Sequence, residues 1–306
     1  MKTLIRDGAA DVFRKLPPFR GKARLGEAIG RLTTNTSNDL ECLRTITMWD
    51  GTKMTIDLRS RTEVWAYWTG EYDRSILSRL ISILNNNSVV LDVGANVGFY
   101  SIPFGRALCT LNGRVFAFEP VPSNFDRLKQ AVYDNSLVEI VTLEPIALGD
   151  KRGVIEMHLE TENNASTGNA VILNDSIRKI AGWGETNASA EVYTLDEYAE
   201  QMDIPSCKLI KIDIEGAEMN FLTGASGFIR RHRPIVFGEF NPYWLKHFGT
   251  SLDEVLSFFS RIDYRFFRQL DSETVVEFME PVQSYQDIFL VPSEENTETL
   301  QKIGVK

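Results

Sequence analysis

The chain has 306 residues, 43% hydrophobic and 25% charged, enough to bury the core of one large domain or a domain with an appendage. A formal charge of −9 argues against a general nucleic-acid binder, which depends on a basic field to release counterions. No apolar run reaches the roughly 18 residues of a membrane span, and Met1-Lys2-Thr3-Leu4-Ile5 turns polar at Arg6 and Asp7 where a secretory leader would stay apolar.

Residues 1–40 read as an accessory segment: two helical stretches around Pro17-Pro18, then a polar run from Thr33 to Asn38. Alternating runs at 43–48 and 53–58 flank Trp49-Asp50-Gly51-Thr52, a hairpin signal in which both central residues are expected at positive φ. A helix is expected over 75–84, ended by Asn85-Asn86-Asn87. From Val89 the rhythm changes. Strand-like apolar runs at 89–93, 114–118, 140–145, 209–212 and 235–239 alternate with helical stretches at 98–108, 123–135, 217–223 and 252–261. Runs buried on both faces and joined by helical crossovers predict an α/β fold, a mostly parallel sheet with helices on both faces. Strands at 264–270 and 286–291 are expected to add an antiparallel edge. Residues 151–192 form an insertion that starts as a strand (154–159) and continues into a polar loop from Asn163 to Asn169. Cys42, Cys109 and Cys207 form no CxxC pair, so they are expected as buried free thiols in a reducing cytoplasm, not as a disulfide framework or zinc site.

The chemistry concentrates at Leu91-Asp92-Val93-Gly94-Ala95-Asn96-Val97-Gly98, a strand running into a glycine turn that opens a helix. Gly94 and Gly98 remove side chains where backbone must approach a ligand, and the helix N-terminus offers unpaired N–H groups. The spacing is not G-x-G-x-x-G. Asp92, just before the turn, would repel a pyrophosphate but suits the cationic end of S-adenosylmethionine. Glu119, in Phe116-Ala117-Phe118-Glu119-Pro120, ends the next strand and is placed to accept both ribose hydroxyls.

These motifs, with Pro145-Ile146-Ala147-Leu148-Gly149-Asp150 and Lys211-Ile212-Asp213-Ile214-Glu215-Gly216-Ala217-Glu218, resemble the FkbM family of class I methyltransferases. Gly70-Glu71-Tyr72 and Asp287-Ile288-Phe289-Leu290-Val291-Pro292 extend the resemblance over roughly 70–292. It implies a Rossmann-like sheet, S-adenosylmethionine as cofactor, and O-methylation of a natural product or glycan. It also implies Asp92, Gly94, Asn96 and Gly98 around the methionine end, Glu119 on the ribose and Ala147 to Asp150 near the adenine. Glu71, Ser123 and Asp213 are assigned to the cofactor on the same basis.

In an open α/β sheet ligands sit beyond the carboxyl ends of the strands. Asp213, Glu215 and Glu239 are therefore candidates for a general base, for ligands of a divalent cation that orients a diol, or for hydrogen bonds to sugar hydroxyls. Glu218 is read as facing solvent on its helix. Histidine is scarce, at His158, His232 and His247. His247, after Asn241-Pro242-Tyr243-Trp244, is a candidate base, His232 a helix-end residue and His158 structural. Trp65, Tyr67, Trp68, Tyr72, Trp183, Tyr243 and Trp244 are placed in loops and segment ends, with glycine-flanked Trp183 the candidate acceptor lid.

The expected organisation is an N-terminal helical and β-hairpin region (1–69), a catalytic domain (70–292) and a tail (293–306). The first region is assigned either acceptor binding or assembly of a homodimer. The expected activity is S-adenosylmethionine-dependent O-methylation of a sugar-containing or polyketide-type small molecule or a glycan. The competing readings are a nucleoside-binding module without chemistry and a dinucleotide-dependent oxidoreductase.

Overall fold

The computed structural model describes residues 2–17, 19, 21–33, 42–162, 165–179, 188–271, 274–279 and 286–305. By internal contacts the chain divides into two units, Met1–Arg74 with Glu160–Asn169, and Ser75–Leu159 with Ala170–Lys306.

The first unit holds helices α1 (Lys2–Lys15) and α2 (Lys22–Thr33), the antiparallel hairpin β1 (Leu43–Thr47) and β2 (Lys53–Asp57), and helix α3 (Arg61–Thr69). The hairpin forms as expected, by a different turn. Only Gly51 has positive φ, while Asp50 Oδ1 accepts from the N–H of Thr52 at 3.0 Å and does the job of a backbone acceptor. Helix α3 corrects the reading of Trp65, Tyr67 and Trp68 as loop aromatics. Ser60 caps its start by accepting from the Glu63 N–H, and Gly70 ends it at φ 70. Tyr67 and Trp68 are fully buried, and the Tyr67 hydroxyl donates to Asp7 at 2.6 Å, so that helix is anchored to α1.

The second unit contains α4 (Arg74–Ser82), β3 (Val89–Val93), α5 (Ser101–Leu108), β4 (Arg114–Phe118), α6 (Pro122–Asp134) and β5 (Val141–Glu144). There follow β6 (Ala147–Leu148), β7 (Gly153–Glu162) and β8 (Ala165–Ile172), of which 160–162 and 165–169 count with the first unit, then β9 (Ala188–Tyr193), α7 (Leu195–Gln201), β10 (Leu209–Ile212), α8 (Glu218–Gly224), α9 (Ser226–His232) and β11 (Ile235–Phe240). It closes with α10 (Pro242–His247), α11 (Leu252–Ser260), β12 (Tyr264–Gln269), β13 (Val275–Glu277), β14 (Gln286–Pro292) and α12 (Thr297–Lys302).

Eight strands form one sheet in the order β13-β12-β14-β11-β10-β3-β4-β5. Strands β3, β4, β5, β10 and β11 are parallel, whereas β14 runs antiparallel to β11 and β12. This is the mostly parallel, Rossmann-like sheet with an antiparallel edge. Alternate residues feed two faces. Leu91, Ile210 and Val236 pack with Phe221, Ile229 and Val255 of α8, α9 and α11, while Asp92 on the opposite face meets Ser101 of α5. Chain order moves outward from β3 to β4 and β5 on one side and from β10 to β11 on the other. The sheet therefore reverses between β3 and β10, and the crevice beyond their carboxyl ends is where such folds bind ligands.

The insertion makes a second sheet, β6-β9-β7-β8. Residues 165–169, read as loop, belong to strand β8. A strand there depends on a partner strand and not on local pattern. Asn163 and Trp183 lie outside the described residues. Cys42 and Cys207 are buried free thiols, but Cys109 is exposed, because the helix α5 ends just before it and turns it outward.

Candidate active site

The glycine turn is built against the end of β10. Gly94 sits at φ +77, and a Cβ there would lie 1.9 Å from the backbone carbonyl oxygen of Asp213. The close approach that requires glycine is thus made by the chain itself. The N–H groups of Gly94 and Ala95 donate to Phe118 O, and that of Asp213 donates to Val93 O at 3.0 Å, so three strand ends are tied together. Asn96 (φ 51) and Gly98 (φ +102) continue the turn into α5 in left-handed conformations.

Asp92 is completely buried on β3. Ser101 Oγ donates to its Oδ2 at 2.6 Å, and Lys211 Nζ lies 3.3 Å from its Oδ1. The sequence reading missed Lys211, whose ammonium donates to Gly94 O at 2.7 Å, stands 3.6 Å from Asp213 Oδ2 and lies over the Tyr100 ring at 5.2 Å. Burial works against its charge, but Asp92, Asp213 and Glu119 together outweigh burial and hold its pKa above the ordinary lysine value. The negative charge of Asp92 is therefore answered inside the protein. The acid of this trio with a solvent-reaching carboxylate is Asp213, whose side chain is 35% exposed. A lysine inside a strand-end motif is the signal that could have revealed this, since a buried lysine needs carboxylates beside it.

Glu119 ends β4. Its Oε2 accepts from the Asn96 N–H at 2.8 Å and its Oε1 from the Val121 N–H at 2.9 Å. Burial pushes its carboxyl up to about 7, with those N–H groups, Lys211 and the Asn124 side chain holding it back. Asn124 is a second residue the sequence reading missed. It is buried in the first turn of α6, whereas Ser123 beside it is exposed. Ala147 is buried in β6, paired with Val192 of β9. Glu71 lies in the first unit, ion-paired with Arg74 at 2.7 Å.

The turn after β10 carries strain. Glu215 (φ 51) and Gly216 (φ +99) are both left-handed, and a Cβ on Gly216 would lie 2.8 Å from Trp244 backbone atoms. Helix α10 therefore packs directly on this turn and brings His247 into the same neighbourhood. The imidazole Nδ1 of His247 is 2.8 Å from Ser176 Oγ, and its ring packs edge-on against Tyr243. Glu239, near the end of β11, stands in register with Asp287 of β14, a neighbour the sequence could not assign without the sheet order. Asp213, Glu215 and Glu239 are not brought together as cation ligands. Among the described residues no group of three or more His, Cys, Asp or Glu is arranged to hold a metal ion. They stem from different strand ends and a left-handed turn, so their spacing is set by the sheet.

Glu218 is corrected outright. It is not solvent-facing but 1% exposed, at the first position of α8. Its Oε1 accepts from the Gly216 N–H at 3.0 Å and its Oε2 is buried with no hydrogen-bond partner among the described residues. The short helix folds back on its own turn, so its N-terminal face points inward. Burial pushes its carboxyl up to about 7, the charge of Asp213 adding to the effect while the N–H bonds oppose it. The folded value is above the unfolded one, so the neutral acid stabilises the fold at low pH and that contribution disappears as pH rises through about 7. Glu218→Gln is expected to match wild type near about pH 5 and to exceed it by up to about 3 kcal/mol near about pH 8. Urea midpoints at the two pH values check this, and equal midpoints at high pH would sink it.

With this geometry in hand, similarity to known proteins becomes informative. The Methyltransferase FkbM domain model matches residues 92–266, more than half of the chain. Hexuronic acid methyltransferase AglP of Haloferax volcanii is 25% identical over 175 residues, 56% of this chain and 64% of that protein. The match thus spans less than two thirds of the relative's length. Among solved structures, a methyltransferase FkbM from Methylobacillus flagellatus is similar at 17% identity, covering 94% of this chain and 59% of that one, with a TM-score of 0.44. A precorrin-6y C5,15-methyltransferase from Geobacter metallireducens is similar at 13% identity, 72% and 87% coverage and a TM-score of 0.38. The matched span opens on the buried Asp92, takes in the glycine turn, Glu119 and the Lys211–Glu218 strand end, and closes in β12: the chain belongs to the FkbM methyltransferase domain family.

Proposed function

We propose that the protein is an S-adenosylmethionine-dependent O-methyltransferase acting on a hydroxyl of a sugar-containing small molecule or glycan, with 70–292 as its catalytic domain. The observation that carries the reading is the cradle at the sheet reversal. A glycine turn that tolerates no Cβ lies beside an acid-bearing strand end, and Glu119 is fixed at the next strand end. The donor set fits the cofactor. The Asn96 and Val121 N–H groups and the Asn124 side chain fix the Glu119 carboxylate at the strand end, where its remaining acceptor capacity suits a ribose hydroxyl, and Asp213 presents its carboxylate beside the turn for a cationic methionine end. Gly94, Asn96 and Gly98 shape the backbone around it. When bound, the cofactor supplies an electrophilic methyl group on a sulfonium. The chain's own task is to position the acceptor hydroxyl and take its proton.

The acceptor class rests on the family, on the name of the Haloferax volcanii relative, and on exposed Tyr243 beside His247, an aromatic face of the type sugars stack on. Asp213, Glu215, Glu239 and His247 are the proposed acceptor-side residues. The buried thiols Cys42 and Cys207 suit the cytoplasm.

Isothermal titration with S-adenosylmethionine, S-adenosylhomocysteine and NAD tests the reading. Both methionine nucleosides are expected to bind, NAD is not, and Glu119→Ala should weaken binding by about tenfold or more, the loss of hydrogen bonds to a charged acceptor. Because the Glu119 carboxyl sits at about 7 and hydroxyls are best accepted by the ionised form, affinity should rise up to about tenfold from about pH 6 to about pH 8. In Glu119→Gln this pH dependence should vanish. NAD binding, or no nucleoside binding, would overturn the proposal.

A further inference from the structure

The segment 173–179, which the sequence reading left without a role, is fastened to α10 at both ends of a single residue. Asn174 Oδ1 accepts from the N–H groups of Ser176 and Ile177 at 2.9 Å each, which shapes the segment into a turn. The same amide donates through Nδ2 to the backbone carbonyl of His247 at 3.0 Å. Ser176 Oγ then meets His247 Nδ1 at 2.8 Å. Beneath these bonds Leu173 and Ile177 pack against Trp244 and Phe248. Asn174 thus holds the histidine's backbone and Ser176 its ring, on a helix that rests on the strained turn after β10. Two contacts on one residue from a three-residue stretch is more than packing needs. Trp244 and Phe248 already join the segments.

We propose that Ser176 is a positioning residue for His247: Nδ1–H donates to Ser176 Oγ, which leaves Nε2 as the bare nitrogen that takes the proton of the acceptor hydroxyl. This rests on the methyl-transfer reading. In the step, the acceptor oxygen forms its bond to the methyl carbon as the carbon–sulfur bond breaks, the electron pair staying on sulfur and the hydroxyl proton passing to Nε2. Nε2 is suited to this because it has no hydrogen-bond partner among the described residues. The second-partner logic is general: the group bound to one ring nitrogen decides the protonation of the other.

The chain has three histidines, so nitrogen-15 imidazole spectra of histidine-labelled full-length protein can be assigned with His247→Gln. At a pH where His247 is neutral, wild type is expected to show a protonated Nδ1 and a bare Nε2. Ser176→Ala should invert this to the Nε2–H tautomer, and Ser176→Thr, which keeps the hydroxyl, should restore the wild-type pattern. A role in packing alone would leave the tautomer unmoved. An Nε2–H tautomer in wild type, or no change in Ser176→Ala, would overturn the positioning role even in a protein that binds S-adenosylmethionine. Failure of wild type to bind S-adenosylmethionine would overturn the methyl-transfer reading, and the proton-acceptor role with it, whatever the tautomer.

Discussion

Gly94→Ala is expected to cost more than about 4 kcal/mol of stability and to abolish nucleoside binding. Its Cβ would lie 1.9 Å from the Asp213 carbonyl oxygen and 3.0 Å from the Asp213 carbonyl carbon, both backbone atoms. That backbone cannot retreat cheaply, because the Asp213 N–H is bonded to Val93 O and Gly94 itself is bonded to Phe118 O. A φ of +77 adds strain for any residue with a side chain. Gly98→Ala is the internal control. Its Cβ meets Leu128 Cδ1 at 2.8 Å and Ile102 Cγ1 at 3.0 Å, side-chain atoms that can shift where backbone cannot, so a loss of about 1–3 kcal/mol is expected, most of it backbone strain at φ +102. Guanidinium denaturation of both variants, with S-adenosylmethionine titration, separates the two. Equal losses at both glycines would show that the Gly94–Asp213 approach is not what holds the turn.

Lys211→Met should destabilise by about 3–5 kcal/mol, because it strands Asp92 as an uncompensated charge in the sheet interior. Asp92 is 0% exposed, and its remaining partner, the Ser101 hydroxyl, donates one hydrogen bond but supplies no charge. Asp92→Asn leaves the lysine with Asp213, the Gly94 carbonyl and the Tyr100 ring, so a smaller loss of about 1–3 kcal/mol is expected. The double variant Asp92→Asn/Lys211→Met should recover much of the loss, since a buried pair replaced as a pair is often neutral. Strict additivity in the cycle would remove the ion pair from the account of this site. If cofactor binding also falls in Asp92→Asn while stability is kept, the pair orders the glycine turn as well as the sheet.

Much of the eight-stranded sheet is legible in the sequence. Val89-Val90-Leu91 and Leu209-Ile210 are β-branched or apolar runs with no polar face, the pattern of strands covered on both sides. The glycine turn was legible for the same local reason, because few residues accept positive φ. Helix α3 was not. Its Trp-Ala-Tyr-Trp run has no apolar stripe of helical period, and Ala66, Tyr67 and Trp68 are buried, with Trp65 exposed, through contacts that lie far away in sequence. Strand β8 was missed because a polar strand is made by its neighbour and not by its own composition.

The site divides along the same line. Residue type and spacing were enough to put Asp92, Gly94, Glu119 and Asp213 at strand ends and their turns, and the structure places those ends side by side. Neighbour relations across the sheet were out of reach. That Lys211 neutralises Asp92, that Asp213 is the carboxylate left open, that Glu218 turns inward and that Ser176 grips His247 are facts of register and packing between segments distant in the chain. Burial and pairing depend on which strands lie side by side. A carboxylate's charge, and a histidine's free nitrogen, are assigned only when the fold has chosen its partners.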